Sequence, residues 1–378
     1  MRLALGGLLT LAIAMGVGRF AFTPLLPLMQ KDSGLDLRLA GLLASANYVG
    51  YFLGALSAIW IRASTVKVVR GSLVAVVVLT AAMGITHNAA AWLLLRALAG
   101  VASAWILIFA SAYILEQLAL RDRKPLGGVV FGGVGFGIAL TGACCLLFLN
   151  LSWTADRTWI AIGAIAGVPL ILCWPVYGEA TAARTAPKAG LSPLRLRDYL
   201  PTIVCYGIFG FGYIIPATFL PAMAKQVVPD PAVFGWAWPI FGTAAFVSTL
   251  VAGRLSARFR NRRIWAWSHV VMAIGLAVPA VVPGMTGIVV SACFVGGTFM
   301  VATMAGIQEA RILAPDHASH LMAAMTTAFA LGQIFGPLLV SALAGTGNGM
   351  DMLLLAAAVL LLGSGVVLFA DPTRRRSR

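Results

Sequence analysis

Charge is the scarcest property of this sequence. Only 10% of its 378 residues are Asp, Glu, Lys or Arg, where a soluble domain carries about 25%, and only 12 residues are acidic. That shortage excludes an ordinary soluble globular protein. The five cysteines (Cys144, Cys145, Cys173, Cys205 and Cys293) lie inside apolar runs and lack metal-ligand spacing. They read as small buried hydrophobes, with neither a disulfide framework nor a metal centre implied. The four histidines are His87, His269, His317 and His320. No paired carboxylates, His-Asp couple or metal cluster falls within the apolar runs, so the expectation is a protein that is not an enzyme and uses no cofactor.

What is abundant is apolar. Hydrophobic residues make up 60% of the chain, beside 41 glycines, and the mean hydropathy is +0.94. A membrane span needs roughly 20 apolar residues. Runs bounded by charge, Gly or Pro give twelve candidates, at 4–30, 37–61, 68–86, 91–117, 126–150, 157–177, 199–224, 233–256, 264–282, 286–310, 320–345 and 350–370. Helices are expected, because lone strands leave backbone polar groups unpaired in lipid and the runs exceed barrel-strand length.

The net charge of +15 is explained by where the basic residues fall. Most of the 27 lie at Arg2, in the loops 62–70, 121–124, 184–197 and 254–263, at Arg311 and at 374–378. The opposite loops hold Lys31, Arg38, Arg157 and Lys225, leaving Arg19 and Arg96 inside spans. Basic loops stay in the cytoplasm, so both termini are expected there, in a multi-pass protein of the cytoplasmic (inner) membrane. The basic excess thus reports topology, and nucleic acid is not expected as a partner. Residues 1–14 resemble a secretory signal, but an internal repeat argues for keeping them as part of the first helix.

That repeat has an offset of 194 in its first two spans. Gly16 meets Gly210, Gly18 meets Gly212, Pro27 meets Pro221, Met29 meets Met223 and Gly41 meets Gly235. With adjusted offsets Glu116 meets Glu309, and Gly133-x-x-x-Gly137 meets Gly332-x-x-x-Gly336. Two parallel sets of six spans result: an N-terminal bundle at 1–177, a polar linker at 178–198 and a C-terminal bundle at 199–378. This is the architecture of secondary transporters, whose solute site lies near the midplane between repeats that rock against each other.

Over its whole length the chain resembles the major facilitator superfamily, and "GVGRFAFTPLLPLMQ" (16–30) resembles its uncharacterised YbfB/YjiJ-type branch. "GRLSARFRNRR" (253–263) supplies Gly253, Arg258 and Arg262 of a superfamily loop signature, departing from it at Ala257, Arg260 and Asn261. Its first-half copy at 59–69 keeps little beyond Lys67. Arg96-x-x-x-Gly100 also fits. The resemblance implies the major facilitator fold, all α with twelve transmembrane helices, and an ion-pair latch at the cytoplasmic ends. Glu116 and Glu309, Gly253, Arg258 and Arg262 are the candidates for that gate, with Glu309 expected near Arg258 and Arg262. The Gly-Pro pair that antiporter branches carry in span five is missing, which removes one argument for proton-driven export.

Arg19 is the residue around which a function is read. At 1.5 Å per residue it lies well inside the hydrocarbon, where an arginine costs at least ~2.5–3.5 kcal/mol. No Asp or Glu occupies the middle of any span. Either the guanidinium recognises an anion, through bidentate bonds to carboxylate or phosphate, or helix-end carbonyls, Asn47 or tyrosines satisfy it as a packing element. Phe22, Asn47, Tyr51, Tyr206, Tyr213, Trp238, Thr303 and Gln333 are the other candidate solute contacts, against the plainer reading of helix packing. Arg96 reads equally well as snorkelling to the interface.

The expected partners are a small-molecule substrate and the lipid bilayer, for a chain acting as a monomer by alternating access. A small organic solute, biased toward an anion, is one substrate class; efflux of amphipathic compounds, with Arg19 structural, is the alternative. Protons are a candidate coupling ion. Coupling through Glu116 or Glu309, protons carried with the solute, and uniport or exchange all stay open.

Overall fold

The computed structural model describes residues 1–58, 60–123, 126–178, 195–228, 230–344 and 348–370. Among these it is all helical and contains twelve helices long and apolar enough to cross a membrane. Spans one to six are Arg2–Asp32, Leu37–Ser57, Thr65–Ala82, Ala89–Leu120, Gly127–Asn150 and Ala155–Val176. Spans seven to twelve are Leu196–Val227, Ala232–Ala252, Asn261–Val281, Met285–Leu313, His320–Leu343 and Gly349–Phe369. These ranges match the sequence expectation to within a few residues. Most of the expected linker at 178–198 lies outside the described residues.

Helix starts follow local capping chemistry. Side-chain oxygens of Asp36, Ser64, Asn88 and Thr154 accept backbone N–H groups of Leu39, Lys67, Ala91 and Arg157, at the heads of spans two, three, four and six. Each satisfies one of the donors that a helix terminus leaves unpaired.

The repeat reappears in the packing. Span one lies on span five as span seven lies on span eleven, and span two on span four as span eight on span ten. Spans three and six pair as spans nine and twelve do. A Cβ at Gly16 would lie 2.4 Å from the Gly137 carbonyl carbon, and one at Gly210 would lie 2.3 Å from the Phe329 carbonyl oxygen. Gly133 faces Leu8 of span one just as Gly332 faces Gly207 of span seven. Small residues here allow backbones to approach closely.

Two seams join the halves. Span five packs on span eight and span two on span eleven. In the first, a Cβ at Gly135 would lie 2.3 Å from the Phe246 nitrogen, and one at Gly242 would lie 2.2 Å from the Ala139 nitrogen. On the side away from the termini the halves are tied by polar contacts. Lys225 Nζ donates to the Pro27 carbonyl at 2.9 Å and Ser341 Oγ to the Arg38 carbonyl at 2.9 Å. Thr23 Oγ1 donates to the Ala217 carbonyl at 2.9 Å. The molecule is therefore drawn shut on that side.

Candidate functional site

Span one is broken at its middle. Arg2–Leu11 is α-helical, Ala12–Val17 is a π-helix, residues 18–21 form a turn, and Phe22–Asp32 resumes the α-helix. The sequence expectation was one uninterrupted helix. A π segment re-aims the residues after it and leaves carbonyls without helical partners. Two side chains take those carbonyls. Arg96 of span four donates from Nη1 to the Gly18 oxygen at 3.4 Å and from Nη2 to the Arg19 oxygen at 3.0 Å. Asn47 of span two donates from Nδ2 to the Gly18 oxygen at 3.2 Å and to the Arg96 oxygen at 2.9 Å. Ser103 Oγ adds a bond of 2.7 Å to the Ala14 carbonyl.

One expectation changes here. Arg96 does not snorkel: it is buried, its guanidinium clamps the break, and the Phe22 ring lies 5.1 Å beneath it. Asn47 holds backbone with both Nδ2 bonds, while its buried Oδ1 has no partner among the described residues. The duties proposed for a structural Arg19 thus fall to Arg96.

Arg19 itself is 2% exposed. Its guanidinium lies 4.2 Å from the Tyr51 ring centroid, 5.1 Å from Tyr48 and 5.4 Å from Phe20. Such desolvated cation–π contacts are worth ~2 kcal/mol each at most sites of this kind, which keeps the charge in place without neutralising it. Nε and Nη2 have no hydrogen-bond partner among the described residues. Two buried guanidinium groups therefore share the centre of the first half, and the described acids all lie at span ends.

The second half faces this group with aromatic and amide chemistry. Tyr213, the repeat counterpart of Arg19, is within Coulombic range of Arg19, Tyr48 and Tyr51. Its ring stacks between Phe299 and Phe329, with centroids at 5.4 and 5.5 Å, and its hydroxyl accepts a hydrogen bond from Gln333 Nε2. Gln333 Oε1 has no partner among the described residues. Tyr48 links the halves through a 3.0 Å hydrogen bond to Thr218 Oγ1. Trp238 is fully buried against Phe20 and Phe241, whereas Trp236 is the exposed one. Tyr206 packs on Phe209, Trp265 and Phe329 beside Thr303, whose hydroxyl donates to its own helix at Phe299.

Of the expected solute contacts, Arg19, Tyr51, Tyr213 and Gln333 are brought together, with Trp238 one aromatic layer away through Phe20. Tyr48 and Phe20 belong to the cluster and were missed. Tyr48 is three residues before Tyr51 on the same helix, a spacing that places both on one side and could have signalled it. Arg19, Tyr48, Tyr51 and Tyr213 are all buried against one another. The cavities described lie elsewhere, one of about 30 Å³ among spans one, five and six and one of about 640 Å³ along spans eight, nine and ten.

At the termini side, Arg262 and Glu309 form an ion pair at 3.9 Å. Both belong to the second half, so this pair does not bridge the halves as a latch would. Arg262 also caps span twelve, donating from Nε to the Leu368 carbonyl at 2.8 Å and from Nη2 to those of Val367 and Ala370 at 3.1 and 3.2 Å. Arg70 does the same in the first half, bonding the Trp174 carbonyl at the end of span six at 3.3 Å. Both arginines thus secure a helix C-terminus. Arg258 and Glu116 are exposed. Gly253 lies within the helix Ala237–Arg258, and its surroundings are outside the described residues. His269 is fully buried, accepting from Trp265 Nε1 at 2.7 Å and meeting Ser364 Oγ at 2.9 Å. A ring nitrogen that accepts from an indole carries no proton, so this network holds the neutral imidazole.

Comparison with known proteins gives the family. The family model described as "Uncharacterised MFS-type transporter YbfB" matches residues 11–368. A chloramphenicol resistance protein of Streptomyces lividans is 26% identical over 360 residues, covering 90% of each chain. The chain belongs to the YbfB-type family of major facilitator superfamily transporters.

Proposed function

We propose that this transporter carries a small organic anion across the cytoplasmic membrane, with both termini in the cytoplasm, by rocking bundle 1–177 against bundle 199–378. The observation that carries the reading is the Arg19 guanidinium: central, buried, facing the other half, and with two nitrogens, Nε and Nη2, unbonded among the described residues. A buried cation without a counter-charge is expensive, and a carboxylate arriving between the halves would relieve that cost through charge-assisted bonds to Nε and Nη2. The opposing Gln333–Tyr213 pair supports recognition from the second half. With the termini inside, the packed ends of spans one, two, seven and eleven put the outer side shut.

Uptake of a carboxylate panel into proteoliposomes tests this. Arg19→Gln should lower uptake ten- to a hundredfold, the equivalent of roughly 1.5–3 kcal/mol for a charged hydrogen bond; undiminished uptake would refute the anion reading.

A second reading is export of amphipathic compounds. It is favoured by the name of the Streptomyces lividans relative and by the stacked Tyr213, Phe299 and Phe329 rings. Under that reading, cells producing the chain tolerate chloramphenicol better and the Arg19→Gln variant protects them equally.

A further inference from the structure

The larger cavity is a groove of about 640 Å³ formed by spans eight, nine and ten, a volume in the range of small-molecule sites. It opens on the outside of the second bundle, since Val247 and Trp267 on its wall are 52% and 60% exposed. Along span eight its lining runs from Ala244 to Leu255, roughly 16 Å at helical rise. One leaflet of a hydrocarbon core about 30 Å thick is about 15 Å deep. The groove therefore spans one leaflet, from the middle of the membrane to the termini side, where Phe259 and Arg263 close it.

The chemistry of the wall is graded the same way. Its hydroxyls are bonded to their own helices: Ser248 to the Ala245 carbonyl, Ser268 to Ile264 and Thr298 to Phe294. The deep part thus presents apolar surface with no free donor. Arg263 lies exposed at the mouth. An occupant must be apolar for a leaflet's depth and anionic at one end.

The geometry points to a bound anionic phospholipid of the termini-side leaflet, with an acyl chain in the groove and its phosphate on Arg263. Clustered basic residues at a membrane face attract such headgroups. Span eight also forms the seam with span five, so the lipid sits on an element that joins the two halves.

Native mass spectrometry of the delipidated full-length chain, titrated with phosphatidylglycerol or phosphatidylcholine, tests the assignment. The native chain should hold one phosphatidylglycerol in preference to phosphatidylcholine. Arg263→Gln should weaken phosphatidylglycerol about fivefold and erase the preference, as expected for one basic group near the surface. Gly297, where an added Cβ meets nothing within 4 Å, lines the groove, so Gly297→Leu should fold normally and exclude both lipids. The assignment is overturned if both variants bind phosphatidylglycerol like the native chain. It is likewise overturned if the native chain holds phosphatidylcholine equally well, or if it prefers oleate to phosphatidylglycerol.

Discussion

At the scale of single residues, two buried arginines of one half are bonded differently. Arg96 is spent on backbone carbonyls that the broken first span cannot bond itself, while Arg19 leaves Nε and Nη2 unbonded. Their substitutions should separate accordingly. Arg96→Leu abandons the Arg19 carbonyl, while Asn47 still serves that of Gly18, and should lower stability by about 1–3 kcal/mol. Arg19→Leu removes a poorly paired charge from a low-dielectric site and should leave stability unchanged or raised, with transport lost, the trade expected where function keeps a strained group in place. Thermal unfolding of the two purified variants checks this: if Arg19→Leu is the less stable, Arg19 is a packing element. The sequence made Arg19 visible because no acid shares its depth. It could not separate Arg96 from a snorkelling residue or show that the Asn47 amide nitrogen bonds backbone. Their partners are carbonyls freed by a break, and "GVGRF" continues the apolar run without marking one.

At the scale of elements, the Gly133-x-x-x-Gly137 spacing of span five does not say what that helix packs on. The glycines of this span serve different neighbours. Gly133 and Gly137 admit span one, while Gly132, Gly135 and Gly142 admit span eight of the other half. The faces diverge because residues one and two apart lie far around a helix, whereas those three or four apart share a side. A methyl at Gly135 would meet the Phe246 backbone, which cannot swing aside as a flexible side chain would. Gly135→Ala should therefore cost about 1–3 kcal/mol by overpacking, read as a lower melting temperature with a larger fractional loss of transport. A variant as stable and active as the native chain would show that the seam is looser than drawn. The expected gate was legible only in part. Arg262 and Glu309 do pair, yet the helix ends beside them belong to one bundle, and spacing along the chain cannot tell a bridge between halves from one within a half.

At the scale of the molecule, the offset repeat foretold the neighbour pattern well, because parallel copies of one six-helix unit bury the same faces. The state was not legible. Which ends meet depends on small differences between two packings of the same surfaces, and here the ends away from the termini are joined. Arg38 and Ser341 are in contact at that edge. Replacing both with cysteine should give a disulfide that halts transport until a reductant is added; full transport in the oxidised double variant would mean that this edge need not part.

The central claim is that the guanidinium at the middle of span one selects a negative charge. Its most direct measurement is binding of a matched pair, a carboxylate transported in the panel and its neutral amide, to the native chain and to Arg19→Gln by calorimetry. The account predicts at least about tenfold preference for the carboxylate by the native chain, in line with one charge-assisted bond, and none by the variant. Equal affinity of the native chain for both ligands, or a preference that survives in the variant, would contradict it.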